Sequence, residues 1–258
     1  MSKSLDVDKL EREVKTVYRN VAEAPTDEHH FEMGRPLAER LGYPASDLDR
    51  VPAEAIDSFA GVGYHFDLVD PQEGKDVLDL GSGSGMDAFV AALHVGDAGS
   101  VTGLDMTDEQ LEKARRLRDE AGMENVSFEQ GYIEDLPFAD ESFDVVVSNG
   151  VINLSAEKEH VFAEVNRVLT PDGRLAVSDI ISETRMPESI KSNADLWAAC
   201  IGGAEQVTDY TDMIEMPGFK DVEVRENLQY EFISDQATNA CQKYGVKSIS
   251  LGARKTDQ

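Results

Sequence analysis

Cysteine is scarce in this chain: Cys200 and Cys241 are the only two among 258 residues. That scarcity excludes a disulfide framework and a cysteine-rich zinc site, so no metal centre is expected. No run of about 18 apolar residues occurs, so no membrane-spanning helix is expected either. The opening stretch "MSKSLDVDKLEREV" is charged and lacks an apolar signal core, which leads to the expectation of a cytoplasmic protein without a membrane partner. Positive charge is short as well. Lys and Arg total 24 against 51 Asp and Glu, a net charge of -27 spread along the whole chain. A field of that sign repels phosphates, so nucleic acid is not an expected partner. It also repels itself unless salt screens it, and a salt-loving host is the expected origin.

What is present divides into two stretches. Residues 5–24, "LDVDKLEREVKTVYRNVAEA", place Leu10, Val14, Val17 and Val21 at helical spacing, and Pro25 ends the pattern. "RPLAERLGY" and "PAEAIDSFAG" read as two short helices, each with Pro near its start and Gly near its end. Residues 1–70 are therefore expected to form a helical N-terminal cap on a second unit, 71–258. From Lys75 the rhythm changes to strand-like runs: "KDVLDLG", "SVTGLD", "NVSFEQGY", "SFDVVVSN" and "GRLAVSDII". Helical segments separate most of them, at 86–94, 108–122 and 156–169. That alternation predicts an α/β fold with a mostly parallel sheet covered by helices. Thr107 and Gln110 fit a capping box at the start of the second inter-strand helix. Further helices are expected around 187–200 and 207–216. "KDVEVRENLQYEF" and "VKSISLGARK" then read as a closing hairpin without a helix between its strands.

Chemistry concentrates at "DVLDLGSGSGMDAF", Asp76 to Phe89. Gly81, Gly83 and Gly85 spell G-x-G-x-G after a strand. The dinucleotide fingerprint needs G-x-G-x-x-G, and Met86 stands where its last small residue belongs. Asp79 and Asp87 flank the loop, and carboxylates suit a diphosphate poorly but suit a ligand bearing a positive charge or an amino group. Asp105 closes the second strand 24 residues beyond Gly81, where an acid commonly accepts hydrogen bonds from ribose hydroxyls. Met106 is a candidate for one adenine face, and Ile133 and Glu134 in "GYIEDLPF" for its plane and edge. A nucleoside without phosphates but with a charged amino-acid tail is S-adenosylmethionine. Taken singly, the glycines also fit a bare tight turn and Asp105 a helix cap. The four elements in this order resemble the class I methyltransferases, which implies a Rossmann-like doubly wound, mostly parallel sheet and S-adenosylmethionine as cofactor.

Within that class, "SNGVINLSAEKEHVFAEVNRVLTPDGRLAVSDI", "LWAACIGGA", "VTGLDMTDEQLEKA" and "GYIEDLP" resemble the arsenite methyltransferases over roughly residues 55–205. The resemblance implies a small-molecule acceptor, trivalent arsenic, held in a cage of three cysteine thiolates; soft sulfur ligands suit so soft a centre. Here the first cage position is Val62, within "GVG", and the second is Gly150, within "SNGVINL". Cys200 alone remains and is the candidate catalytic residue; nothing around Cys241 matches. Either arsenic arrives bound by external thiols, or the acceptor is another molecule. A small-molecule carbon or oxygen methyltransferase of quinone-precursor type and a non-catalytic donor- or metalloid-binding module both stay open. An arsenic or sulfur lone pair needs no general base, whereas a hydroxyl or activated carbon does.

Bases are few: His29, His30, His65, His94 and His160, with Tyr64 and Asp179 as similar candidates, and a structural role is the default for each. Asn149 and Asn153 follow the fourth strand at the carboxyl edge, where ligands bind in open α/β sheets, and turn chemistry explains them equally well. Asn149 is counted with the donor-binding set. Trp197 and Met186 read as packing.

Overall fold

In the computed structural model the described residues are 7–25, 27, 31–187, 197 and 201–256. Five helices precede the first strand: α1 (Val7–Glu23), α2 (Arg35–Leu41), α3 (Ala45–Leu48), α4 (Ala53–Asp57) and α5 (Phe66–Val69). The expected pattern in α1 sets its burial, since Leu10, Val14 and Val21 face inward and leave the charged side chains outside. Pro36 near the start of α2 and left-handed Gly42 after its end match the Pro-first, Gly-last asymmetry.

Seven strands follow: β1 (Asp76–Leu80), β2 (Ser100–Asp105), β3 (Val126–Gln130), β4 (Phe143–Asn149), β5 (Leu169–Ile181), β6 (Phe219–Glu226) and β7 (Lys247–Lys255). Their spatial order is β3-β2-β1-β4-β5-β7-β6. The pairs from β3 through β5 are parallel, whereas β7 runs antiparallel between β5 and β6. Helices α6 (Met86–Val95), α7 (Asp108–Ala121) and α8 (Lys158–Val168) connect parallel strands, and α9 (Val207–Glu215) leads into β6. β1 lies inside the sheet between β2 and β4 with Val77, Leu78 and Leu80 fully buried, so both faces are covered and the strand reads as a continuous apolar run. The order of strands reverses between β1 and β4, which opens a crevice at their carboxyl ends, the place where open α/β sheets bind ligands.

Two expectations fail. β6 and β7 are not a simple hairpin, because α10 (Asp235–Tyr244) lies between them, with Ser234 capping it through the Ala237 N–H. The sequence "SDQATNACQKY" shows only a weak apolar stripe, which is why no helix is expected there. The capping box at α7 does not form either. Thr107 makes no side-chain cap bond. Gln110 instead turns sideways: its Oε1 accepts from the Ser84 hydroxyl at 2.5 Å, and its Nε2 donates to the Tyr18 carbonyl at 2.8 Å. Tertiary partners outbid the local bond. Of the segment expected to be helical around 187–200, residues 188–196 and 198–200 lie outside the described residues.

Candidate active site

The crevice holds a cavity of about 360 Å³, within the roughly 300–1,000 Å³ typical of small-molecule sites. Its floor is the turn after β1. Leu80 is followed by Gly81 at φ 68°, Gly83 at φ 53° and Gly85 at φ 93°, a succession of left-handed residues that throws the chain directly into α6. Gly81 is needed twice over. Besides its φ, a Cβ there would lie 2.4 Å from the Val151 side chain. Gly85 differs from the other two: it does not line the cavity, and a Cβ would meet the Phe128 ring at 2.7 Å. Its role in this structure is to let α6 pack on the sheet.

Three carboxylates crowd this floor. Asp79 is buried beneath the start of α6, and its Oδ2 has no hydrogen-bond partner. Burial, then the charges of Asp87 and Asp105, push its pKa well above the usual carboxylate range. Asp105 accepts the Gly83 N–H at 2.9 Å and the Thr107 N–H at 2.8 Å, so the acid that ends β2 also ties down the glycine turn. Burial raises its pKa despite those donors. Asp87 accepts from the Tyr43 hydroxyl at 2.5 Å and from the Asn149 amide at 3.0 Å. The Ser82 hydroxyl is likewise buried on the cavity wall without a partner. Met106, Ile133 and Glu134 line the same cavity, as does Asn149. Apart from Gly85, then, the structure gathers every residue assigned to donor binding around one space.

Helix α1 forms the opposite wall, which the sequence did not announce. Leu10, Val14 and Tyr18 face the cavity, and Leu10 and Val14 pack on Trp197. Three side-chain ties hold the helix there. The Ser58 hydroxyl donates to the Val21 carbonyl at 3.1 Å, Lys113 to the Ala22 carbonyl at 3.1 Å, and Lys15 to the Tyr132 hydroxyl at 2.6 Å. The apolar spacing of α1 revealed that it had a buried face but not which partner that face would meet. Tyr43 was missed because it belongs to no recognisable local motif, and the cavity role of Gln110 because its spacing from Thr107 fits a capping box.

The other candidates fall away from the cavity wall. His65 is fully buried, with Nδ1 3.2 Å from the Ser178 hydroxyl, and burial lowers its pKa. His94 pairs with Asp47 and His160 lies near Glu157 on the surface. Tyr64 is half-buried against Tyr43, its pKa pushed up to about 12, first by burial. Asp179 is buried and accepts from the Asn153 and Ile180 N–H groups and the Tyr210 hydroxyl. Asn153 in turn donates to the Ile180 carbonyl, so both are structural ties for the 3₁₀ turn Ile152–Leu154. Met186 and Trp197 are buried, as packing residues are. Cys200, His29 and His30 lie outside the described residues. Cys241 is half-buried and its thiol is pushed up by burial, the opposite of an activated thiolate.

The two positions where the resemblance implies cage cysteines are now visible. Val62 is buried in an apolar cluster with Ile180, Met186 and Ile201, and does not line the cavity. Gly150 holds φ at 72°, with its N–H donated to the Ser178 carbonyl at 2.7 Å. Neither offers a ligand atom.

Comparison with known proteins agrees with the geometry. A methyltransferase-domain family matches residues 71–218. An arsenite methyltransferase of Halobacterium salinarum is 41% identical over 219 residues, covering 84% of this chain and 56% of that protein. One from Aquipseudomonas alcaligenes is 43% identical over 189 residues, 70% of this chain and 54% of its own. The chain thus spans a little over half the length of these curated relatives. Among solved structures, an arsenic(III) S-adenosylmethionine methyltransferase from Chlamydomonas reinhardtii superposes with a TM-score of 0.69 at 35% identity, over 88% of this chain and 75% of that one. A putative sarcosine dimethylglycine methyltransferase from Galdieria sulphuraria, 19% identical with a TM-score of 0.64, shares the fold. With a glycine turn, an acid ending β2 and a seven-stranded sheet in the matching order, the chain belongs to the class I methyltransferases, in the arsenite methyltransferase family.

Proposed function

We propose that the chain binds S-adenosylmethionine and transfers its methyl group to trivalent arsenic carried by small external thiols. The observation that carries the donor assignment is the set of buried carboxylates with an unpartnered Asp79 oxygen facing the cavity. Among the described residues, six acids and no Lys, Arg or His line that wall. Such a lining favours a cation and penalises a diphosphate. Asp79 and Asp87 suit the positively charged methionyl end, Asp105 the ribose hydroxyls, and Met106, Ile133 and Glu134 the adenine. Asn149 belongs to the same set, and Gly81 and Gly83 let backbone approach the ligand.

When bound, the donor supplies an electrophilic methyl on a sulfonium, which the arsenic lone pair takes in line while the breaking C–S bond leaves its electrons on sulfur. The chain's own work is alignment and exclusion of water. Leu10, Val14 and Tyr18 of α1 close the space, and residues 7–70 act as the cap on the unit that follows. A soft nucleophile asks for no base; no His is among the described residues of the cavity wall, and Tyr43, which bonds Asp87 of that wall, is pushed well above its ordinary pKa by burial and then by Asp87. Arsenic is favoured by the relatives, whose names specify it. External thiols are favoured because Val62 and Gly150 supply no sulfur. Transfer of tritiated methyl from the donor to arsenite with glutathione or dithiothreitol tests the assignment in full. Labelled methylarsenic is expected; label appearing in quinol precursors alone would overturn the arsenic acceptor. Donor binding without any turnover would leave a binding module.

A further inference from the structure

Asn149 is one of several groups around the donor cavity, and its hydrogen bonds point in two directions. Its Oδ1 accepts the Val62 N–H at 2.8 Å and faces the Gly63 N–H at 3.4 Å. Its two amide hydrogens face three oxygens, each at 3.0 Å: Asp87 Oδ2, the Tyr43 hydroxyl and the Gly63 carbonyl. The donors and acceptors around it fix which end is oxygen, because only the oxygen can accept from Val62. One side chain therefore touches both the carboxylate at the start of α6 and the backbone of the 61–63 turn. No water-filled gap is needed to join the two.

The turn has little freedom to answer in any other way. A Cβ at Gly61 would press on the Phe59 ring at 2.4 Å and on the Asn149 amide at 2.6 Å. One at Gly63 would meet the Asn227 amide at 2.3 Å and the Ser178 hydroxyl at 2.6 Å. On the side away from the cavity, Asn227 Nδ2 donates to the Val62 carbonyl at 3.3 Å, and the Ser248 hydroxyl donates to the same carbonyl at 2.5 Å. The Gly-Val-Gly turn is thus wedged between two amide side chains. The one on β4 touches the donor cavity, and the one beyond β6 does not. Resting on the donor assignment made above, we infer that Asn149 is a positioning residue that couples donor binding to the 61–63 turn, so that a cation held at Asp87 stiffens the backbone bordering the acceptor side. A ligand at Asp87 draws that carboxylate toward itself or holds it still. Asn149 carries either change to Val62 and Gly63 through bonds that already exist.

The test uses the full chain with S-adenosylhomocysteine and with S-adenosylmethionine as probes, at high salt. Exchange of the Val62 and Gly63 amide hydrogens is followed by NMR, alongside donor affinity by calorimetry. In the natural protein the donor is expected to slow exchange at both amides by at least 5-fold. In Asn149→Asp, a carboxylate of the same shape still accepts from Val62 but faces Asp87 with like charge. There the slowing is expected to vanish and donor affinity to fall at least 10-fold. Asn149→Ala should behave the same way and guards against an effect peculiar to the added charge. Asn227→Ala serves as the structural control: exchange should quicken with and without donor, while the ratio between the two states persists. Equal slowing in Asn149→Asp and the natural protein would overturn the coupling, as would donor binding with no change at these amides. If the natural protein bound neither probe, the donor assignment would fall too, so calorimetry tells the two failures apart.

Discussion

On one side of the cavity, Asp79 and Asp87 are buried beside a partly buried Asp105, the charges of Asp87 and Asp105 add to burial in raising the pKa of Asp79, and an oxygen of Asp79 is left with nothing to bond. On the other side, Val62 is surrounded by apolar side chains and the 61–63 turn has its backbone bonded on both flanks. The first region is costly on its own and becomes favourable only with a cationic ligand in place. The second is already satisfied. Free energy stored in unmet polar groups marks where a ligand belongs, and its absence around Val62 says that this protein does not itself hold the acceptor there with sulfur. On the proposed function, donor recognition is built in, whereas much of acceptor recognition is left to what the acceptor brings with it.

Substitutions that break the donor floor should have the largest effects. Gly81→Ala forces a Cβ onto Val151 at a left-handed φ, so we expect a loss of roughly 3 kcal/mol in stability and of methyl transfer. Gly85→Ala clashes with Phe128 but not with the ligand space, so thermal stability should fall while the folded fraction keeps its donor affinity. Denaturation and calorimetry on the pair separate turn packing from ligand contact. Asp105→Ala removes charged hydrogen bonds that fix the glycine turn. Donor affinity should drop roughly 100-fold, from about 1.5–3 kcal/mol per such bond.

Asp179 sharpens the contrast through pH. Burial raises its pKa to about 6, against hydrogen bonds that favour the anion. Because the folded pKa lies above the unfolded one, the native state binds the extra proton between about pH 4 and 6. Stability from this group is therefore greatest below pH 4 and declines as pH rises through 6, by on the order of 3 kcal/mol at most. Asp179→Asn should remove that slope. Unfolding free energies of both proteins across pH 4–7, at constant high salt, should differ by an amount that changes through this window and is flat above it.

Smaller effects are expected where the acceptor side is altered toward the cysteine pattern. Val62→Cys trades one buried apolar side chain for another at a cost of roughly 1 kcal/mol, and its thiol should resist alkylation in the folded protein. Gly150→Cys must adopt φ 72° and should cost about 1–2 kcal/mol. The double variant should gain no arsenic affinity, because Val62 faces packed side chains rather than the cavity; a gain measured by calorimetry would show that the region repacks more readily than its burial implies.

How much of this was legible beforehand follows from where the determinants lie along the chain. The parallel strands and helices α6 to α8 were readable because period and punctuation are local: β1 is a short apolar run that ends in glycines. The donor set was readable because its members sit at fixed offsets from strand ends. Helix α10 was not, since its apolar face is thin and its flanks resemble turns. The Thr107–Gln110 box failed because the Ser84 hydroxyl takes the Gln110 oxygen and Asp105 takes the Thr107 N–H that the box would join. Gly85 belonged to the motif by spacing, yet its duty is packing, which only the Phe128 ring reveals. Tyr43 and α1 reach the cavity from more than thirty positions away, a distance over which one sequence carries no pairing information.

Titration calorimetry of the full chain at multimolar salt, with S-adenosylmethionine in one run and the dinucleotide NAD in another, bears most directly on the acidic cavity. Saturable one-to-one heat with the sulfonium ligand and none with the diphosphate is the predicted result. Binding of NAD in preference, or silence from both ligands in a protein shown to be folded, would contradict the account.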